Sequence, residues 1–223
     1  MLFDQSVADQ GGLDDLISLA QELKLNTTVI GRSAFAAESI TDAPQGVLAM
    51  ADQVETIDLD DLVGLPGVPF IMVLDGVTDP RNLGALLRTC DGAGVDGLVM
   101  SRHGSARLTP TAVKAAAGAV EHVKICQVGG VPAAIDQLKR AGIWVVGLDA
   151  GGSVELFDLH LADEPVALVL GSEGSGLSRL VRERCDTIMS IPLAGALDSL
   201  NVSVAGALAC YEVTRRRRQT PTD

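Results

Sequence analysis

From residue 70 onward, short apolar segments alternate with segments of helical pattern, and this alternation limits the folds available to the chain. The apolar segments are 70–77, 96–101, 122–128, 143–149, 166–171 and 187–193. The segments of helical pattern are 81–94, 108–120, 131–142, 177–185 and 199–217. Strands that are apolar along their whole length are covered on both faces. The sequence therefore predicts an α/β fold, a parallel sheet with helices on both of its faces.

The first part of the chain has a different pattern. Residues 13–25 carry apolar side chains at helical spacing, and 27–31 and 46–51 read as short strands. Residues 62–69 hold two glycines and two prolines, which is typical of a linker. The sequence predicts two domains, at 1–64 and 65–223, of which the first is small for an independent fold.

Charge is distributed unevenly between these two parts. The net charge of the 223 residues is −12, which by itself argues against a nucleic-acid partner. Residues 1–70 hold 12 acidic and 2 basic side chains, whereas the rest of the chain holds 17 acidic and 15 basic ones. The second part also has three local groups of basic residues, which are Arg102 with Arg107, Arg179 with Arg182 and Arg184, and the run 215–218.

Several classes of protein are disfavoured by missing motifs. The four cysteines form no C-x-x-C pair and the three histidines no H-E-x-x-H motif, so we expect reduced thiols and no metal. No apolar stretch approaches the ~18 residues that a membrane span needs. The N-terminus lacks a basic segment followed by an apolar run. We therefore expect a cytoplasmic protein without a membrane partner.

Three polar, glycine-containing loops follow predicted strands, at 75–88, 171–176 and 191–201. In open α/β sheets, ligands bind beyond the carboxyl ends of the strands. Asn82 and Arg88 of the first loop lie about 600° apart on the next helix, and therefore on different faces. A capping role for Asn82, and an ion pair of Arg88 with Asp91 or another carboxylate, are the structural alternatives to a functional role.

The second loop has glycines at 171, 174 and 176 between a strand and a helix. Exposed backbone N–H groups there suit an anion or a closely bound cofactor. The spacing is not G-x-G-x-x-G, and neither a phosphate loop nor a G-x-S-x-G elbow is present. The structural alternative for Glu173 is stabilisation by the helix dipole.

The third loop leads into the last helix. Pro192 and Gly195 predict a turn, and Ser199 is a candidate N-cap of that helix. Asn201 and Ser203 are candidates to point polar groups into the crevice at the strand ends.

Taken in order, the three loops resemble the motifs of one family. D-x-x-x-D-P-x-N-x-G-x-x-x-R lies at 75–88, G-x-E-G-x-G-L at 171–177, and I-P-x-x-G-x-x-x-S-L-N-V-S-V-A at 191–205. These residues resemble the SpoU family of the SPOUT superfamily, the TrmH-like RNA 2′-O-ribose methyltransferases. The resemblance covers about 70–218 and is strongest to the branch containing the 23S rRNA guanosine-2′-O-methyltransferase.

The resemblance implies a C-terminal deep trefoil knot, although knotted chains are rare among proteins. It also implies a homodimer with the catalytic groups near the subunit interface. S-adenosylmethionine is expected against main-chain atoms of the second and third loops, at Gly171, Ile191 and Leu200. Glycine-rich turns allow such a close approach.

The resemblance implies methyl transfer to an RNA ribose, without a metal. DNA is excluded as a substrate because it lacks the 2′-hydroxyl. The residues implied to be catalytic are Arg88, Asn82, Glu173, Ser199 and Asn201. Arg88 is expected to bind a phosphate and stabilise alkoxide charge, since arginine stays protonated. Asn82 and Glu173 are expected to orient Arg88 and the ribose, while Ser199 and Asn201 shape the site.

The branch carries an N-terminal RNA-binding domain similar to ribosomal protein L30e, and residues 13–63 look like its second half. Pro44, Gln45 and Gly46 stand where the branch often has His-Gln-Gly, and we expect the opening strand and helix of that domain to be missing. The favoured target is 23S rRNA, and tRNA is the second candidate. An inactive RNA-binding knot protein remains an alternative. A nucleotide-dependent oxidoreductase is disfavoured by the glycine spacing.

Overall fold

The computed structural model describes residues 1–41 and 44–219, apart from the side chains of 161 and 162. The chain divides into two compact units, Met1–Gln53 and Val54–Asp223. No helix in the described part of the chain is both long enough and apolar enough to cross a membrane.

The first unit is built on a three-stranded sheet in the order β2-β1-β3. β1 (Leu2–Asp4) pairs parallel with β2 (Thr28–Ile30) and antiparallel with β3 (Val47–Leu48). Its helices are α1 (Gln5–Ala8), α2 (Asp14–Glu22) and α3 (Arg32–Glu38). The predicted helix and both strands are present, whereas β1, α1 and α3 are too short to give a clear periodic signal.

The second unit contains a seven-stranded sheet in the order β6-β5-β4-β9-β7-β10-β8, and every pair of neighbours is parallel. Its strands are β4 (Phe70–Asp75), β5 (Gly97–Ser101), β6 (Lys124–Val128), β7 (Trp144–Leu148), β8 (Val154–Glu155), β9 (Val166–Gly171) and β10 (Thr187–Ser190). Its helices are α4 (Leu59–Val63), α5 (Pro80–Ala93), α6 (Pro110–Ala116), α7 (Val131–Arg140), α8 (Arg179–Arg184) and α9 (Val202–Gln219).

Each face of this sheet is covered by helices. Met72 and Leu74 of β4 belong to an apolar cluster with side chains of α5, α6 and α9. The alternate residues Ile71 and Val73 belong to a second cluster with side chains of α4, α7 and α8. Successive strand residues point to opposite faces, so a strand apolar throughout supplies both clusters. The predicted α/β fold is confirmed.

The boundary between the two units lies between residues 53 and 54, earlier in the chain than the predicted boundary at residue 64. Leu59 and Leu62 of α4 are buried in the same cluster as Ile71 and Val73. The segment before the predicted linker therefore packs as part of the second unit.

Two predicted helices differ from the observed ones. The helix expected at 108–120 ends at Ala116, because Ala117 has a left-handed backbone (φ 51°), and a 3₁₀ turn follows at Ala119–Glu121. The last helix begins at Val202, so Ser199 is not its N-cap as expected. Asn201 has that role, since its Oδ1 accepts from the backbone N of Ser203 at 2.9 Å.

Tight helix packing explains one glycine of the first motif. A Cβ on Gly84 of α5 would overlap with the main chain of Ala112 and the side chain of Ala115 on α6. Gly84 thus lets the two helices approach closely, and its role is structural.

All four cysteines are unpaired thiols, and Cys90, Cys126 and Cys210 are buried. Burial raises the pKa of Cys210 to about 12. These thiols therefore stay protonated and belong to the core.

Candidate active site

The three motif loops lie at the same edge of the sheet. Residues 76–79 follow β4, 172–176 follow β9, and 191–201 follow β10, at the carboxyl ends of parallel strands. Because β4 and β9 are neighbours in register, Asp75 lies opposite Gly171. This is the edge of the sheet at which the sequence analysis predicts a ligand-binding site.

A cavity of about 580 Å³ opens at this edge. Its lining includes the three residues predicted to hold a cofactor, Gly171, Ile191 and Leu200, and also Glu173, Ser199 and Asn201. Much of the remaining wall is the loop 172–176. The second and third motif loops thus enclose one space.

The glycine-rich loop is shaped by main-chain contacts. Ser172 and Gly176 exchange two backbone hydrogen bonds, both of 3.0 Å. A Cβ on Gly171 would overlap with the main chain of Gly176 and Leu177. Only glycine allows the backbone to fold back this closely, so this wall of the cavity is largely main chain.

Sequence reasoning missed the part of the cavity that follows β7. Leu148, Asp149 and Ala150 line the cavity. The only sequence signal for this part of the cavity was an aspartate followed by small residues at the end of an apolar strand. This pattern does not belong to any of the three motifs. Burial alone would raise the pKa of Asp149. Hydrogen bonds from the Arg182 guanidinium and the Gly151 N–H outweigh burial and hold that pKa below its ordinary value. The cavity therefore has an anionic group in its wall.

Asn82, Glu173 and Asn201 form a hydrogen-bonded cluster that joins the three motif loops. Asn82 Nδ2 donates to Glu173 Oε1 at 2.6 Å. Asn201 Nδ2 donates to the same oxygen at 2.8 Å and to Asn82 Oδ1 at 3.1 Å. These three residues are far apart in sequence, so the fold brings together side chains that the motifs only suggested.

The first residues of α5 hold Asn82 in place. Asp79 caps the helix by accepting from the backbone N of Arg81 at 2.8 Å, and Pro80 occupies the first turn. Asn82 is only 8% exposed. A buried amide needs partners, and Glu173 and Asn201 supply them.

Arg88 and Ser199 are not part of this cluster. Arg88 is exposed, does not line the cavity, and has no hydrogen-bond or ion-pair partner within residues 1–41 and 44–219. It lies six residues beyond Asn82, about 9 Å further along the helix axis. The alternative pairing with Asp91 does not occur, since Asp91 Oδ1 instead lies 3.2 Å from His122 Nδ1. Ser199 is an exposed residue of the cavity wall.

Most arginines of the other two basic groups are paired within the protein. On α8, each arginine has a carboxylate partner; the pairs are Arg179–Glu183, Arg182–Asp149 and Arg184–Asp136. At the end of α9, Glu212 accepts from Arg215 Nε and from Arg216 Nε, both at 2.7 Å. These hydrogen bonds lower the pKa of Glu212 to about 2 against the effect of burial.

The next arginine of the run, Arg217, is bonded to main-chain carbonyls. It donates to the carbonyls of Val68 and Pro69 at 2.9 and 3.0 Å and lies over the ring of Phe70, 5.0 Å from its centroid. Arg217 therefore holds α9 against the segment that leads into β4.

No group of three or more His, Cys, Asp or Glu side chains that could hold a metal ion occurs in the part of the chain that the structure describes. The polar groups at the cavity are one side-chain amide, hydroxyls, three carboxylates and main-chain atoms.

Comparison with known proteins identifies the family. Residues 69–211 match the sequence profile of the SpoU rRNA Methylase family. A Staphylococcus haemolyticus protein assigned to the TrmH family of tRNA/rRNA methyltransferases is 40% identical over 212 residues, which are 93% of this chain and 84% of that protein.

Two solved structures have a closely similar fold. The SpoU methyltransferase AviRb from Streptomyces viridochromogenes, in complex with AdoMet, superposes with a TM-score of 0.77 at 25% identity, over 98% of this chain and 82% of AviRb. An AdoMet-bound rRNA methyltransferase from Sinorhizobium meliloti gives a TM-score of 0.77 at 25% identity, over 99% and 80% of the two chains. The profile match covers well over half of the sequence and includes all three motif loops. The chain therefore belongs to the SpoU rRNA methylase family, as its motifs predicted.

Proposed function

We propose that this protein transfers a methyl group from S-adenosylmethionine to a ribose 2′-hydroxyl of RNA. The favoured target is a guanosine of 23S rRNA, and tRNA is the second candidate. The observation that carries the proposal is the Asn82–Glu173–Asn201 cluster at the rim of a cavity, one wall of which is largely main chain. This arrangement places polar groups from three loops beside a pocket for a small organic molecule.

The cofactor of this family, S-adenosylmethionine, fits the cavity. A volume of about 580 Å³ lies within the usual range for small-molecule sites. Backbone N–H and C=O groups at 171–176 can pair with adenine, and Ile191 and Leu200 supply apolar surface. The Asp149 carboxylate suits a ligand with a positive charge. When bound, the cofactor supplies a methyl group on a positively charged sulfur.

The hydrogen-bonded cluster has the task of positioning. Glu173 Oε1 is fixed by two amide donors, and its second oxygen remains available to a ribose hydroxyl. Asn201 is fixed in turn, because its Oδ1 caps α9. Orienting the two reactants can lower the barrier by about 7–11 kcal/mol, so rigid holding is a large part of catalysis. Ser199 adds a hydroxyl to the same wall.

Arg88 is assigned to the RNA side of the reaction. Its guanidinium can bind the phosphate next to the target ribose and stabilise the negative charge that develops on the 2′-oxygen. An arginine stays protonated in proteins and cannot take the ribose proton. We assign that proton to solvent water at the exposed rim.

Within one chain, Arg88 does not reach the cavity, and we propose that a second copy supplies it. Val204, Leu208 and Tyr211 form an exposed apolar stripe on α9, with 47%, 43% and 53% of their surfaces accessible. The Tyr211 hydroxyl lies beside Gly92, one turn of α5 beyond Arg88. A two-fold axis through the stripe pairs the same surface of both copies and brings Arg88 to the interface.

The C-terminal trefoil knot and the L30e-like character of the first unit belong to the same proposal. The knot is supported by the third motif at 191–205, and the L30e likeness by the pattern of residues 13–63. The alternative of an inactive RNA-binding protein is disfavoured, because the cluster residues are present and correctly bonded.

The experiment is methyl transfer with the purified full chain. The protein is incubated with S-[methyl-³H]adenosylmethionine and either 23S rRNA or tRNA transcripts, and the product is digested with alkali. A 2′-O-methyl group blocks cleavage at its own phosphodiester, so the expected result is label in alkali-stable dinucleotides. Label in free bases would contradict ribose methylation, and RNA binding without label would favour the inactive alternative.

A further inference from the structure

We propose that the loop between β5 and α6, residues 102–109, is a phosphate-binding surface for the RNA substrate, with Arg107 as its main contact and Arg102 as a second one. This inference rests on the proposed function, since it names where the substrate RNA would bind. It begins from a difficulty: the chain has a net charge of −12, yet its proposed substrate is a polyanion.

The first unit does not solve this difficulty. Residues 1–53 contain eight acidic side chains and only two basic ones, Lys24 and Arg32. Attraction of RNA phosphates therefore has to come from basic groups of the second unit, and only from those whose charge is not neutralised by neighbouring carboxylates.

Of the three basic groups in the second unit, two are largely occupied. The arginines of α8 and Arg215 and Arg216 have carboxylate partners, and Arg217 is bonded to backbone carbonyls. The remaining group, Arg102 with Arg107, has no carboxylate partner among the described residues. A cation already bonded to the protein has little left to offer a phosphate, so this group is the available one.

Arg107 is the freer of the two. It is exposed, and its side chain has no partner within residues 1–41 and 44–219. Arg102 donates through Nε to the Gln127 carbonyl at 3.2 Å, which holds the guanidinium in place and leaves its outer nitrogens available. Asp58 and Asp60 line the same depression as Arg102 and oppose phosphate binding there. We therefore expect Arg107 to contribute more than Arg102.

The loop lies directly beside the proposed active site. The backbone N of Ala106 donates to the carbonyl of Val77 at 2.8 Å, which joins the loop to the first motif. Gly76, next to Val77, in turn lies against Ser172 of the glycine-rich loop. Because β5, β4 and β9 are neighbouring strands, the whole distance along the edge is about 10 Å. An RNA strand whose ribose lies at the cavity can reach this loop with a nearby phosphate.

The experiment compares two double variants of the full-length protein. Arg102→Gln with Arg107→Gln removes both loop charges, and the control Lys124→Gln with Arg140→Gln removes two exposed charges at the opposite edge of the sheet. Binding of a 23S rRNA transcript is measured between 50 and 200 mM salt. Each lost phosphate contact lowers the slope of log affinity against log salt by roughly 0.7–0.9.

The expected result is a slope smaller by about 1.5 in the loop variant and no change in the control. S-adenosylmethionine affinity and the melting temperature should stay unchanged in both. Arg107→Lys keeps the charge and is expected to keep the wild-type slope. Equal slopes in the two double variants would overturn the inference.

The same measurement separates the two proposals. Binding slopes are read without turnover, so a wild-type protein that binds RNA but transfers no methyl group contradicts the proposed function alone. A wild-type protein that methylates RNA, with a loop variant of unchanged slope, contradicts the inference alone.

Discussion

Two groups of arginines in this protein carry the same positive charge but differ in the residues that surround them. At the end of α9, Arg215 and Arg216 share Glu212, and Arg217 is bonded to carbonyls before β4. At the carboxyl edge of the sheet and on the exposed side of α5, Arg107 and Arg88 have no partner among the residues that the structure describes. A run of arginines is therefore a poor indicator of RNA binding, because its neighbours decide what each cation can do.

The comparison predicts that the two regions fail in different ways when changed. Loss of an arginine that is bonded within the fold should lower the free energy of unfolding and leave RNA affinity intact. Loss of Arg88 or Arg107, which have no partner among the described residues, should lower activity or RNA affinity and leave stability intact.

The largest effect is expected for Arg88→Ala. Removing a group that stabilises developing charge usually costs about 10²–10³ in kcat. Single-turnover methylation of saturating RNA measures this loss, and thermal melting should show no change. Arg88→Lys should recover little activity, since an ammonium cannot form the paired contacts of a guanidinium.

Mixed dimers sharpen this prediction. Arg88→Ala protein and Glu173→Ala protein should each be inactive, and co-expression should restore part of the activity if Arg88 serves the cavity of the other copy. An arginine that served its own chain would leave both sites of the mixed dimer defective. Absence of any recovery in verified mixed dimers would therefore contradict the shared site.

Glu212→Gln should destabilise the protein by about 2 kcal/mol, because the side chain is buried and accepts charged hydrogen bonds from two guanidinium groups. Chemical denaturation at pH 7 measures the change. The folded-state pKa of Glu212 is held at about 2, below its ordinary value of 4.5. Its contribution is thus complete above pH 4.5 and disappears as the pH falls towards 2. The variant should lack this part of the acid dependence.

Arg217→Ala should lower stability by about 1 kcal/mol, the usual net worth of a hydrogen bond, by leaving carbonyls of the β4 approach without their donor. RNA affinity measured at fixed salt should stay within twofold of wild type. A large loss of RNA affinity with unchanged stability would contradict this prediction, because it would show that Arg217 binds RNA and does not stabilise the fold.

Arg218→Ala gives the smallest expected effect. Arg218 is exposed at the end of α9 and has no partner among the described residues. Surface changes of this kind usually alter stability by less than ~0.5 kcal/mol. The variant is the matched control for Arg217→Ala, measured in the same denaturation experiment.

The sequence was most informative where a pattern is repeated or long. Strands such as β4 and β9 are apolar throughout, and their burial on both faces follows from that composition. The motif spacing also identified Asn82, Glu173 and Asn201, which the fold joins by hydrogen bonds. Local sequence and family motif point to the same edge of the sheet.

The sequence was less informative where tertiary contacts decide. Ser199 and Asn201 are both good N-caps, and the path of the loop selects Asn201. The left-handed backbone of Ala117, which ends α6, has no sequence signal. Asp149 joins the cavity through its strand's position next to β9 and β10, which no local pattern encodes.

The close return of the backbone at Gly171 has a consequence for inhibition. A compound that takes its hydrogen bonds from the peptide groups of 171–176 would contact atoms that every amino acid shares. Exchange of a neighbouring side chain would leave those atoms in place, and exchange of Gly171 itself would disturb the loop that the enzyme needs. Resistance by a single codon change should therefore arise rarely against such a compound.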